Sequence, residues 1–183
     1  MPSSIHELLI RGVEDAIRCQ LKTICSGSDA AALFAQEVDS AGSSIINFPV
    51  DGAPPTTKSK HEPDASFWHA QAKYPGVIIE VAYSQKRKKV SRLAEDYLLD
   101  SNANVQVVVG LDIEYGGKRS QKATLSVWRT HVIHTDDVDR LEVVQEVADE
   151  AFRDDQGNPT NYPGLRLQLS DFAFEGLTED VVK

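Results

Sequence analysis

The chain has 183 residues, 41% of them apolar and 26% charged, which is one domain's worth of sequence with enough apolar side chains for a real core. Its formal charge of −9 excludes a binder that grips nucleic acid through a broad basic face, so any such contact has to be local. No apolar run approaches the roughly 20 residues of a membrane-crossing helix, and Met1-Pro2-Ser3-Ser4 lacks the basic region and apolar stretch of a signal peptide; an intracellular protein of one domain, 1–183, is the expectation.

Ser4 and Glu7 have the spacing of a capping box, and Ile5, Leu8, Leu9, Val13, Ala16, Ile17, Leu21 and Ile24 then recur at helical intervals. This predicts a helix over residues 4–24, closed by Ser26-Gly27. Cys19 and Cys25 fall within or beside it, about 240° apart around the axis, which predicts two free, buried or half-buried thiols. A second short helix is predicted over 30–38 and a strand over 44–50, broken by Asp51-Gly52-Ala53-Pro54-Pro55. Residues 56–60 read as a polar connection and 62–68 as a strand. Residues 76–83 hold Val77, Ile78, Ile79 and Val81, a nearly unbroken apolar run suited to a central strand covered on both faces. A helix over 88–102 follows, with Val90, Leu93, Ala94, Tyr97 and Leu98 on one side. Residues 105–115 and 123–130 read as a hairpin around Gly116-Gly117. Val138, Leu141, Val144, Val147, Ala148 and Phe152 then predict a helix over 138–152. A loop at 154–159 and a short strand at 165–169 close the pattern. The order points to an α/β domain with a mixed sheet, its core at about 44–135.

Within that pattern Glu80 interrupts the most apolar strand. An ionised carboxylate there costs several kcal/mol unless a metal ion or a buried cation compensates. Asp64 lies near the start of the preceding strand, where Pro63 fixes the backbone. Two acids on adjacent strands can share a hard divalent cation such as Mg²⁺ or Mn²⁺, an arrangement that serves phosphodiester hydrolysis.

Pro63-Asp64, followed sixteen residues on by Glu80-Val81-Ala82-Tyr83-Ser84-Gln85, resembles the signature of the PD-(D/E)XK (restriction-endonuclease-like) nuclease superfamily, closest to its small fungal-type single-domain members. The similar stretch runs over about 62–129 and takes in Leu93-Ala94, Tyr97 and Leu125-Ser126-Val127-Trp128-Arg129, with a weaker echo in Phe152-Arg153-Asp154 and Leu169-Ser170-Asp171-Phe172. The resemblance implies a restriction-endonuclease-like mixed β-sheet flanked by α-helices, metal ligands at Asp64 and Glu80, and Mg²⁺ or Mn²⁺ as cofactor. It further implies DNA, or less readily RNA, as substrate, and homodimers where two strands are cut. In active relatives a lysine two residues after the glutamate serves the attacking water, and that position here is Ala82. Three explanations stand: a lysine relocated to Lys86, Lys88 or Lys89; a water oriented by Gln85; or a silent site kept for binding protein or nucleic acid. Lys86, Arg87 and Lys89 are the candidate phosphate contacts, since cations at a helix start oppose the macrodipole unless an anion joins them. Relatives often take an extra metal ligand from the first helix, where Glu7 and Glu14 are available and Glu14 lies beside the apolar stripe.

Other signals carry less. His131 and His134 would face opposite sides of a strand, which argues against a zinc pair. His61 and His69 flank the Asp64 strand. Asp136, Asp137 and Asp139 lack the glycine and distal glutamate of a calcium loop and read as a helix start. Phe67, Trp68, Tyr83 and Trp128 fall on predicted strands and read as core.

Overall fold

The computed structural model describes residues 4–179 and 181, apart from 51, 53, 55, 84–86, 115–119 and 135–139. Helix α1 (Ser4–Cys25) and short α2 (Ala30–Gln36) lead into strands β1 (Val38–Ser40), β2 (Ile46–Pro49), β3 (Lys58–His61), β4 (Ala65–His69) and β5 (Val77–Tyr83). Helix α3 (Arg87–Asp100) crosses to β6 (Val107–Ile113), which is followed by β7 (Ala123–Ile133) and β8 (Arg140–Arg153). A 3₁₀ turn (Leu169–Phe172) and α4 (Glu175–Thr178) complete the chain.

Six strands form one sheet in the order β1-β4-β5-β6-β7-β8, and β2 and β3 pair separately. All neighbours in the large sheet run antiparallel except β5 and β6. Those two need a crossover, and α3 supplies it. Their parallel register runs from Val77 opposite Val107 to Tyr83 opposite Ile113, and residues 77–82, 107–111 and 113 are buried. Alternation along β5 divides the core. Val77, Ile79 and Val81 pack with Ile10, Ile17 and Leu21 of α1 and Phe34 of α2. Ile78 and Ala82 pack with Val90, Ala94, Tyr97 and Leu98 of α3 and Ile46 and Phe48 of β2. The architecture is thus mixed α/β, with helices on both faces of the large sheet and the small sheet joining α3.

Several expectations fail, each for a local reason. Residues predicted as a helix over 138–152 form β8, the edge strand, paired with β7 from Ile133 opposite Arg140 to Ala123 opposite Arg153. Register shifts along this pair, together with a positive φ of 54° at Asp149, hide the period-2 pattern. The polar stretch at 56–60 contributes β3, and the predicted strand at 165–169 has no strand partner, its end falling instead in the 3₁₀ turn. Cys19 is exposed and Cys25 half-buried, both free. The sheet also extends past the expected core on both sides, to β1 and β8. Gly116-Gly117 and Asp136, Asp137 and Asp139 lie outside the described residues. Among those described, no helix is long and apolar enough to cross a membrane.

Candidate active site

The ladder between β4 and β5 pairs Phe67 with Val77, Ser66 with Ile78 and Ala65 with Ile79. Asp64 directly precedes this ladder. The backbone ladder stops at Ala65. Beyond it Asp64 Oδ2 accepts from the Val81 N–H at 2.7 Å, so a side-chain oxygen replaces a ladder carbonyl and fixes the carboxylate against β5. The other oxygen, Oδ1, lies 3.3 Å from Nε2 of His6 in the first turns of α1. His6 is itself buried, and its Nδ1 is 3.8 Å from Glu7 Oε1.

Glu80 is 8% exposed. Its Oε1 accepts from the Tyr97 hydroxyl at 2.7 Å, which puts its side chain on the α3 face with Ile78 and Ala82. Burial pushes the Glu80 carboxyl up to about 7, the hydrogen bond from Tyr97 works against that rise, the charge of Asp64 adds to it, and the Lys89 ammonium opposes it. Burial also raises the Tyr97 phenol, and Glu80 raises it further, so Tyr97 stays a hydrogen-bond donor. The ring of Tyr97 packs 5.1 Å from the His61 ring and 6.4 Å from Phe48.

The charge of Asp64 acts on Glu80, so the two acids singled out in the sequence are electrostatic neighbours, and the remaining candidates divide. Glu14 accepts a hydrogen bond from Ser40 of β1, so the first-helix residue at the pair is His6 instead. Among the described residues no three His, Cys, Asp or Glu side chains are grouped to hold a metal ion, and the expected set of Asp64, Glu80 and Glu14 is not assembled. Gln85 and Lys86 lie outside the described residues, as do the side chains of Arg87 and Lys88, which open α3. Lys89 is exposed in the first turn of α3 and reaches Glu80 through its charge. Ala82 is 3% exposed and packed in the α3-side core.

Two residues were missed. His6 occupies the buried stripe of α1, four residues before Ile10 and in line with Ile17 and Leu21, and that spacing was the available signal. Tyr97 reads in sequence as one more apolar residue of α3, although a buried phenol needs a hydrogen-bond partner. His61 lies beside Tyr97 and pairs with Ser59 Oγ at 2.6 Å through Nε2, the same nitrogen that faces Asp100 at 4.0 Å. Both partners on one nitrogen do not make a nucleophile relay. His69 stacks on Phe34, and burial lowers its pKa. His131 lies 3.4 Å from Glu146.

A larger groove, about 1580 Å³, lies on the α1 face between Leu9, Val13 and Ile17 and the β7–β8 pair. It includes neither Asp64 nor Glu80, and its largely apolar walls also carry Arg129, Glu146, Glu150, Tyr162 and Arg166. Around the acids the charge balance reverses: residues 56–93 hold eight of the nineteen Lys and Arg but three of the twenty-eight Asp and Glu, a local excess of five positive charges within a chain of −9.

No family model matches the chain, and no curated protein or solved structure matches it significantly.

Proposed function

We propose that the chain is a divalent-metal-dependent nuclease hydrolysing phosphodiester bonds of DNA, less readily RNA, on a restriction-endonuclease-like core. The observation that carries this reading is the convergence of Asp64 and Glu80 at the β4–β5 junction, close enough for one charge to act on the other. The order α1, β4, β5, α3, β6 supports it, since the PD-(D/E)XK motif resemblance expects its acids on the two strands that precede the crossover helix. The local basic excess supports it as well, because phosphates need cations where the chemistry occurs even on an acidic protein.

Two carboxylates from neighbouring strands fit Mg²⁺, which binds through one or two protein carboxylates and keeps several waters. Asp64 and Glu80 would hold the cation, which when bound supplies polarisation of the phosphoryl oxygen and a hydroxide-like water. The chain's own contribution is to hold both acids still. Val81 N–H and His6 fix Asp64, and Tyr97 fixes Glu80. Lys89 and its neighbours Lys86, Arg87 and Lys88 supply positive charge for the substrate phosphates.

A second reading, a catalytically silent module that binds protein or nucleic acid, is favoured by one observation: Ala82, where the resemblance expects a lysine, is buried and inert. Calorimetric titration with Mg²⁺ and Mn²⁺ separates the two readings. Binding by the wild type that is lost in Asp64→Ala, followed by cleavage of plasmid, single-stranded DNA or RNA that is lost in Glu80→Gln, supports the nuclease. A folded wild type that binds neither ion removes it, and binding without cleavage of any of the three leaves the silent module.

A further inference from the structure

Tyr97 stands in an unusual position for a core aromatic. It is 1% exposed, yet its hydroxyl is spent on one oxygen of a carboxylate 17 residues away, at 2.7 Å. Its ring is held from two sides by His61 and Phe48, and His61 is in turn tied to Ser59. A phenylalanine would satisfy every one of these ring contacts. Only the hydroxyl needs Glu80, and Glu80 has no other hydrogen-bond donor among its described contacts.

We infer that Tyr97 is a positioning residue for Glu80: its hydroxyl anchors Oε1 and thereby directs Oε2 into the space shared with Asp64. This rests on the cation-binding reading of the pair. The physical basis is that a glutamate side chain has three rotatable torsions, whereas a tyrosine clamped by packing sets its oxygen by two. A ligand oxygen fixed by a rigid neighbour binds a cation without first losing that freedom. Asp64 has the equivalent restraint from the Val81 N–H, so the two acids are held by different devices, one backbone and one side chain.

The test titrates Mn²⁺ calorimetrically into the full chain as wild type, Tyr97→Phe and Glu80→Gln, with a thermal melt of each to establish folding. Tyr97→Phe is expected to fold and to bind Mn²⁺ about 10- to 100-fold more weakly, the usual effect of losing a residue that orients a ligand. Mn²⁺ is also expected to perturb the near-ultraviolet tyrosine band of the wild type, and that difference to vanish in both variants. Merely structural packing would move neither readout. Wild-type affinity in a folded Tyr97→Phe overturns the positioning role and leaves the cation reading intact. A wild type that binds no Mn²⁺ overturns both. Should Tyr97→Phe not fold, the wild-type spectrum decides, since Mn²⁺ binding with no tyrosine difference refutes the role.

Discussion

Replacing Glu80 by Gln should make the protein more stable at alkaline pH and leave it nearly unchanged near pH 4.5. Burial, and to a lesser degree the charge of Asp64, lifts the Glu80 carboxyl from an ordinary 4.5 to about 7, while Tyr97 and Lys89 oppose that rise. Between those two values the folded protein keeps a proton on Glu80 that the unfolded chain has released. Stability therefore falls as pH rises from about 4.5 to about 7 and levels off above. Each pKa unit corresponds to about 1.4 kcal/mol, so the loss is about 3 kcal/mol. For a chain of this size that is a melting shift of about 6 to 12 °C. Glutamine keeps the shape and can accept from the Tyr97 hydroxyl through its amide oxygen, but it has no proton to lose. The difference between variant and wild type thus isolates this one group. Thermal unfolding of both from pH 4.5 to 8 is the assay. A difference that stays flat across that range refutes the claim that an acid is buried on the α3 face of β5. Saturating Mg²⁺ at pH 8 should then shrink the difference, because a cation that binds the ionised pair stabilises only the wild type.

Ala82→Lys restores the lysine that the PD-(D/E)XK resemblance expects, two residues along β5 from Glu80 and on the same face of the strand. Plasmid nicking should rise about 100-fold, the lower range for a positioned proton-transfer group, and no gain in a variant that still binds Mg²⁺ would show that this position does not limit the rate. Asp171→Ala should lower stability by about 3 kcal/mol in urea unfolding, because Asp171 is 4% exposed and pairs through both oxygens with Arg129 while also accepting from the Gln168 N–H at 2.7 Å; a midpoint within error of wild type would mean that Glu146 alone satisfies the guanidinium. Gly76→Ala should lose about 3 kcal/mol or fail to fold, since a Cβ there would lie 2.2 Å from the carbonyl carbon of Phe172, which is backbone and cannot swing away. Gly12→Ala, in the middle of α1 with nothing within 4 Å of the new atom, should instead gain up to about 1 kcal/mol.

The elements whose burial is one-sided or complete were legible in the sequence. The apolar stripe of α1, the unbroken run of β5 and the one-sided pattern of α3 each carry their period in side chains that meet the core, and their observed bounds lie within a few residues of the expected ones. β8 was not legible because it is an edge strand with little burial on either face. Its Glu, Ala and Gln residues favour a helix locally, and the register shifts move its apolar residues off a two-residue period. Pairing with β7 overrides that propensity, since each ladder bond satisfies a backbone group that would otherwise compete for water. Asp149 shows how the strand accommodates the irregularity. It adopts a left-handed conformation that aspartate tolerates better than most residues, and its N–H donates to Ser126 Oγ at 3.0 Å.

The same distinction explains the site. Asp64 and Glu80 could be found because a charge in a strand conflicts with its neighbours in sequence, and the conflict is visible without coordinates. The groups that resolve the conflict are distant in sequence, and their spacing along the chain says nothing about where they point. His6 reaches Asp64 across 58 positions, and Tyr97 meets Glu80 from the crossover helix α3. A first-helix glutamate was the natural expectation, but α1 turns Glu14 toward Ser40 and His6 toward the acids. The consequence is chemical. A third carboxylate would add negative charge beside Glu80, whose pKa Asp64 already helps to raise, whereas a histidine and a phenol can each hold a carboxylate oxygen without repelling it. On the proposed metal-dependent reading, a pair held in that way would bind a cation with two charges rather than three. Such a site would select for a substrate whose phosphates complete the coordination, more than for a metal held by protein alone.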